Sequence, residues 1–153
     1  MAAPALSLRE QVFEHLVTTL LTITTTNGYA TTIGTVTRGQ ISPLENFGLP
    51  FASILPIDDP EEWTPQTAQH ELHCTIRVWI DDAAATAAAY LEALLADIAV
   101  ALQVDTTRGG IAEYTIAENT QFLYLASTER LAGADYAIRV AFKTTILSPR
   151  VGA

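Results

Sequence analysis

One cysteine, Cys74, and one lysine, Lys143, are all that 153 residues supply of those two types. A lone cysteine excludes an internal disulfide framework, which needs pairs. Eight basic residues stand against seventeen acidic ones, for a formal net charge of −9, and the seven arginines are scattered along the chain. A surface that tracks a phosphate backbone requires clustered Lys and Arg, so tight nucleic-acid binding is not expected. Nucleic acid sliding past an acidic surface is compatible with this balance. The phosphate-binding patterns GxGxxG and GxxxxGK[ST] are absent, and Gly109-Gly110 follow a predicted helix instead of opening one. No GxSxG nucleophile elbow occurs, and the serines occupy no nucleophilic setting. The N-terminus lacks the basic start and apolar run of a signal peptide. The longest apolar run, AAATAAAYLEALLADIAVAL, carries Glu92 and Asp97 and is too rich in alanine for a membrane span.

What remains is the composition of a folded domain, 49% hydrophobic and 16% charged, and the length suits one domain over 1–153 with one core. Ser7-Leu8-Arg9-Glu10 reads as a capping box, followed by a stripe of Val12, Phe13, Leu16, Val17, Leu20 and Leu21 at helical spacing. Asn27-Gly28 ends that element, and Tyr29 to Arg38 is a β-branched strand interrupted at Gly34. Five of the seven prolines fall between Pro43 and Pro65. Region 43–66 therefore reads as a long acidic loop around DDPEEWTP, holding one short or edge strand at Phe51 to Ile57. Asp81-Asp82 are expected to cap a second helix over Ala83 to Val104, with Leu91, Leu94, Leu95, Ile98 and Leu102 as its stripe. DTTRGG stops it. Strands follow at Ala112 to Ala117, Thr120 to Ser127 and Tyr136 to Leu147, with Gly133-Ala134-Asp135 as the turn before the last. Two amphipathic helices cover one face of such a sheet. The expected class is α+β: two layers, a mainly antiparallel or mixed sheet, and both helices on one face.

The segment QHELHC, Gln69 to Cys74, holds two of the three histidines and the only cysteine, and raises the question of a metal site. It lies in a predicted strand from His70 to Ile80, where side chains alternate faces. His70 shares a face with Leu72, Cys74, Ile76, Val78 and Ile80. Glu71, His73, Thr75, Arg77 and Trp79 share the other. His73 thus points away from His70 and Cys74, and His70 and Cys74 are about 14 Å apart along an extended chain. The three cannot meet on one ion, so no metal is expected. With no nucleophile elbow and no serine in a nucleophilic setting, no cofactor and no catalytic residue is expected, and the chain is not expected to be an enzyme. Cys74 points to the core, where a thiol is inert.

If the two alternating strands are neighbours, Arg77, Arg139 and Lys143 gather on the sheet face away from the helices, with Trp79 among them. Such a face is either simply solvated or docks on an acidic surface, including another copy of the chain. Trp79 there and Trp63 in the acidic loop favour an interface, because tryptophan is enriched at interfaces.

The opening SLREQVFEHLVTTLLTI with NGYATTIG resembles the tail-terminator family of long-tailed bacteriophages, related to the lambda minor tail protein U. So do HELHCTIRVWIDD leading into AYLEALLADIAVALQVDTTRGGIAEYTI, and the closing YAIRVAFKTTILSPR. The resemblance spans most of the chain. It implies a virion protein at the head-proximal end of the tail, assembled in the host cytoplasm. There a ring, usually a hexamer, caps the tail tube, stops its polymerisation and receives the head. The implied partners are other copies of the chain, the tail tube protein and a head-side connector, with DNA passing through the channel unbound and no membrane involved. Within that reading Arg77, Trp79, Arg139, Lys143 and Trp63 form a contact with a neighbouring subunit or the tube. Asp58, Asp59, Glu61 and Glu62 reach to a second contact or the lumen. A head–tail neck or completion ring is the nearby alternative. A small-molecule-binding α+β domain or enzyme is the distant one, and predicts a deep pocket with convergent polar groups.

Overall fold

The computed structural model describes residues 6–40, 48–81, 86–124, 131–145 and 148–152. Helix α1 spans Leu8–Leu21. The Ser7 hydroxyl accepts the Glu10 N–H at 3.1 Å, one half of the expected box. The Glu10 carboxylate turns instead to Arg38, whose guanidinium lies 4.6 Å from the Phe13 ring centroid. Val12, Phe13, Leu16 and Leu20 are buried, and Val17 is partly so. Leu21 is exposed at the helix end.

Seven strands form one mixed sheet. They are β1 (Thr35–Arg38), β2 (Phe51–Asp58), β3 (Glu61–Trp63), β4 (Thr67–Asp81), β5 (Tyr114–Tyr124), β6 (Leu131–Thr145) and β7 (Ser148–Gly152). The order is β1-β2-β4-β6-β5, with β3 beside β4 and β7 beside β6. Only β1–β2 is parallel. Helix α2, Ala87–Val104, joins α1 on one face, where both pack on Ala52, Ile54, Leu72, Ile76, Val78, Ile138 and Val140. The two-layer α+β architecture is the expected one. By length and composition α2 could cross a membrane, yet here Leu91, Leu94, Leu95, Ile98 and Leu102 are buried in the core.

Where the local reading fails, tertiary pairing explains the difference. Residues 43–47 of the expected long loop lie outside the described residues, and the remainder holds two strands: β2 runs eight residues, and the EEW of DDPEEWTP is β3. Strand β2 is interior from Phe51 to Ile54, where β1 pairs with it, and becomes an edge beyond, so Pro56 sits where no second ladder needs its N–H. Asp81 does not cap α2. It belongs to β4 opposite Leu131, and α2 starts at Ala87, with Asp82 outside the described residues. Only Thr35–Arg38 of the predicted Tyr29–Arg38 strand is strand, with a 3-10 turn at Thr25–Asn27 before it. The two predicted strands around Asn119 are one, β5, and the gap between them is a bulge between Ala117 and Asn119. Gly133-Ala134-Asp135 is not a turn but part of β6. A Cβ on Gly133 would stand 2.5 Å from Trp79 Cε3 and 2.5 Å from the Val78 carbonyl oxygen, so glycine answers to close packing.

Candidate functional site

Strand β4 pairs with β6 residue by residue from Thr67↔Thr145 to Asp81↔Leu131, so the predicted neighbours are neighbours. Its even-numbered residues from Ala68 to Ile80 are buried under the helices, while Gln69, Glu71, His73, Thr75 and Arg77 are half-buried on the opposite face. Cys74 is buried, and that burial pushes its thiol up to about 12, which keeps it protonated and unreactive.

The register sets Arg77 opposite Asp135, His73 opposite Arg139 and Gln69 opposite Lys143, so the three cations share the face without helices. They do not form a bare positive patch. Arg77 donates from Nε and Nη2 to the two Asp135 oxygens at 2.7 and 2.8 Å, and this bidentate hydrogen bonding raises its pKa. Lys143 Nζ stands 3.8 Å from Glu113 Oε1, and both side chains are about half exposed. The Nε of Arg139 is buried without a hydrogen-bond partner among the described residues. Trp79 lies on this face but is buried, its ring over Gly133, so it is a packing residue and not the exposed contact expected of it. Trp63 is 65% exposed and retains the profile of a contact residue.

The acidic group also divides. Asp59, expected to reach outward, has its side chain only 8% exposed, and its Oδ2 accepts from Arg9 Nε and Nη2 at 2.9 and 2.6 Å. The same oxygen lies 2.8 Å from His70 Nδ1. Asp58 turns to His73 Nδ1 at 2.5 Å. Glu61 Oε1 stands 3.3 Å from His70 Nδ1, and Glu62 is exposed on β3. The reason is local: the bulge between Pro56 and Asp58 redirects the chain, and β3 folds back along β4 with Glu61 opposite His70. His70 is buried, stacked on Phe142 with ring centroids 4.5 Å apart, its Nε2 3.0 Å from Thr144 Oγ1.

Beside this cluster opens a cavity of about 390 Å³ whose lining includes Arg9, Glu61, Trp63, His70, Phe142 and Thr144. The sequence marked His70 as a polar residue in phase with the core, and a buried imidazole needs partners. Those partners, Asp59 eleven residues away and Thr144 on another strand, come only from the fold.

A second buried polar centre lies at Arg108. Arg108 is fully buried just past α2, donating from Nη2 to the carbonyls of Leu102 and Asp105 and from Nη1 to Thr19 Oγ1 at 3.2 Å. Burial lowers its pKa. It ties the C-terminal end of α2 to α1, where its charge also meets the negative end of the helix dipole.

The molecule is thus a two-layer α+β domain with charge pairs on one sheet face and a lateral acid–histidine cavity. No family model matches the chain, and no curated protein matches it. A chain of a solved structure, the virion of a native gene transfer agent (GTA) particle, has the same fold. The TM-score is 0.54 at 13% identity, covering 90% of this chain and 96% of that one. That likeness establishes the shared fold.

Proposed function

We propose that the chain is a structural subunit of a phage-like particle, and within that class a tail terminator that closes into a ring on the end of the tail tube. The observation that carries this reading is the whole-length match of fold to a chain of a gene transfer agent virion. The paired sheet face and the exposed Trp63 supply surfaces of the kind a ring subunit uses. A closed ring requires two different patches per subunit, meeting head to tail. The partners in this reading are other copies, the tube protein and a head-side connector, and DNA passes the acidic molecule unbound. The protein carries out no catalysis in this account.

Reversing Arg77 and Arg139 to glutamate is unsuitable as a test, because a glutamate at 77 would face Asp135 and disturb the monomer. Trp63→Ala and Lys143→Ala alter exposed side chains, leave the core alone and set no like charges side by side. Electron microscopy of the purified protein is expected to show annular particles with a central channel, and the double variant to yield folded monomers. A two-fold dimer as the sole assembly would refute the ring. Copurification with a tube protein supports termination, and with a portal-side adaptor supports the neck reading. The cavity beside His70 favours a second reading, a small-molecule site, since about 390 Å³ with converging polar groups is within the range of ligand pockets. Monomers in all salt conditions, together with a retained organic ligand, would select it.

A further inference from the structure

We propose that Asp59, Glu61 and His70 form a binding site for one divalent transition-metal ion, with zinc as the best match. One carboxylate oxygen of each acid and one ring nitrogen of His70 lie within 4.8 Å of one another. His70 Nδ1 is 2.8 Å from Asp59 Oδ2 and 3.3 Å from Glu61 Oε1. Ligand atoms held about 2.0–2.2 Å from a tetrahedral ion stand roughly 3.3 Å apart, so closing on an ion requires small side-chain shifts only.

A second observation points to a cation independently of this convergence. Arg9 and His70 both engage Asp59 Oδ2, while Oδ1 of the same carboxylate is buried and has no hydrogen-bond partner among the described residues. A buried anionic oxygen without a donor is costly, and a bound ion removes that cost. The surroundings suit a metal ligand as well. A metal at Nδ1 would replace the hydrogen that links it to Asp59, leaving the ring proton on Nε2, where Thr144 Oγ1 at 3.0 Å can accept it, and Phe142 stacks on the ring. The cavity lined by Glu61 and His70 gives the ion a path and leaves room for the water that completes its shell.

Charge and donor type narrow the ion. Two carboxylates and one nearby guanidinium leave a net negative site that attracts a cation. One imidazole nitrogen with two carboxylate oxygens suits zinc or manganese better than magnesium or calcium, which prefer all-oxygen shells. The ion would clamp the β2–β3 turn to β4. His73 with Asp58 and Glu118 makes a looser group, its imidazole 30% and Asp58 59% exposed, and serves as the internal control. The site does not depend on the ring proposal, and its test uses the isolated chain.

Metal-stripped full-length protein is dialysed against zinc chloride and assayed by elemental analysis, with cobalt(II) absorption reporting coordination and thermal melts reporting linkage. The expected result is one zinc per chain, visible cobalt bands and a raised Tm. Glu61→Gln, at a position that is not part of the core, removes a direct ligand and lowers affinity by more than about 10-fold, the least that losing even a supporting group outside the ligand set costs. His70→Asn abolishes uptake, and His73→Asn leaves it unchanged. Absence of saturable uptake overturns the site, as does uptake that survives both Glu61→Gln and His70→Asn or vanishes in His73→Asn.

Discussion

Gly133 shows how much a single side chain, or its lack, fixes. Its missing Cβ makes space for the Trp79 ring, so Gly133→Ala drives a methyl into tryptophan and into the Val78 carbonyl. The expected loss is about 2–4 kcal/mol, read from urea unfolding midpoints. Arg108→Ala would strip the buried carbonyls of Leu102 and Asp105 of their donor and leave a void between the helices. Roughly 2–4 kcal/mol of destabilisation follows, with no rescue by lysine, which cannot reproduce the planar fork. His15 gives a pH signature. Burial and the Arg108 charge lower its pKa from 6.5, and the opposing pull of Asp105, 3.7 Å away, does not win. Below pH 6.5 the unfolded chain takes up a proton that the folded chain refuses, so acidification costs stability there, and above it the residue contributes none. His15→Asn should flatten that acid-side slope in denaturation midpoints measured across the range. Asp105 behaves in the opposite sense to a raised base: hydrogen bonds from Thr107 and Gly109 hold its carboxyl down at about 2, so its contribution persists above pH 3.8 and fades toward 2.

Among the elements, β4 is the most legible. Its strict alternation gave both faces, and the burial pattern follows it from Thr67 to Val78. What alternation cannot give is the partner, and the partner decides the electrostatics: Arg77 is a cross-strand pair with Asp135 before it is a surface cation. A double-mutant cycle on Arg77→Ala and Asp135→Ala should return a coupling of about 1 kcal/mol, and a value near zero would mean the pair is ornamental. Helix α2 was legible from its leucines, but Asp97 on it was read only as a charge unsuited to a membrane. It is buried, accepting the Thr31 N–H at 2.8 Å and the Thr31 hydroxyl at 2.5 Å, and so anchors the segment between α1 and β1. Asp97→Ala is expected to cost about 2–3 kcal/mol and to increase hydrogen exchange around Ala30 and Thr31.

For the whole molecule, the ring reading places its action on the surface, with one sheet face left open by the two described helices. In the ring reading, Trp63→Ala should weaken assembly while leaving the melting temperature of the monomer unchanged, a combination that sedimentation and calorimetry resolve together. Equal loss of both would assign Trp63 to the fold. The net charge of −9 adds a salt dependence: screening relieves repulsion between like-charged copies, so assembly is expected to strengthen with moderate salt.

The sequence by itself determined the class, the two helical stripes and the inward and outward sides of β4, because these follow from periodicities of 3.6 and 2 that any short window displays. It placed Gly133 in a turn, Trp79 at a contact and Asp59 and Glu61 reaching outward, whereas Gly133 lies in a strand, Trp79 is covered, and both acids close on His70. Those outcomes depend on which strand lies beside which and on a one-residue bulge after Pro56. Contacts between residues distant in the chain are made by the register of the sheet, and only the folded chain has a register.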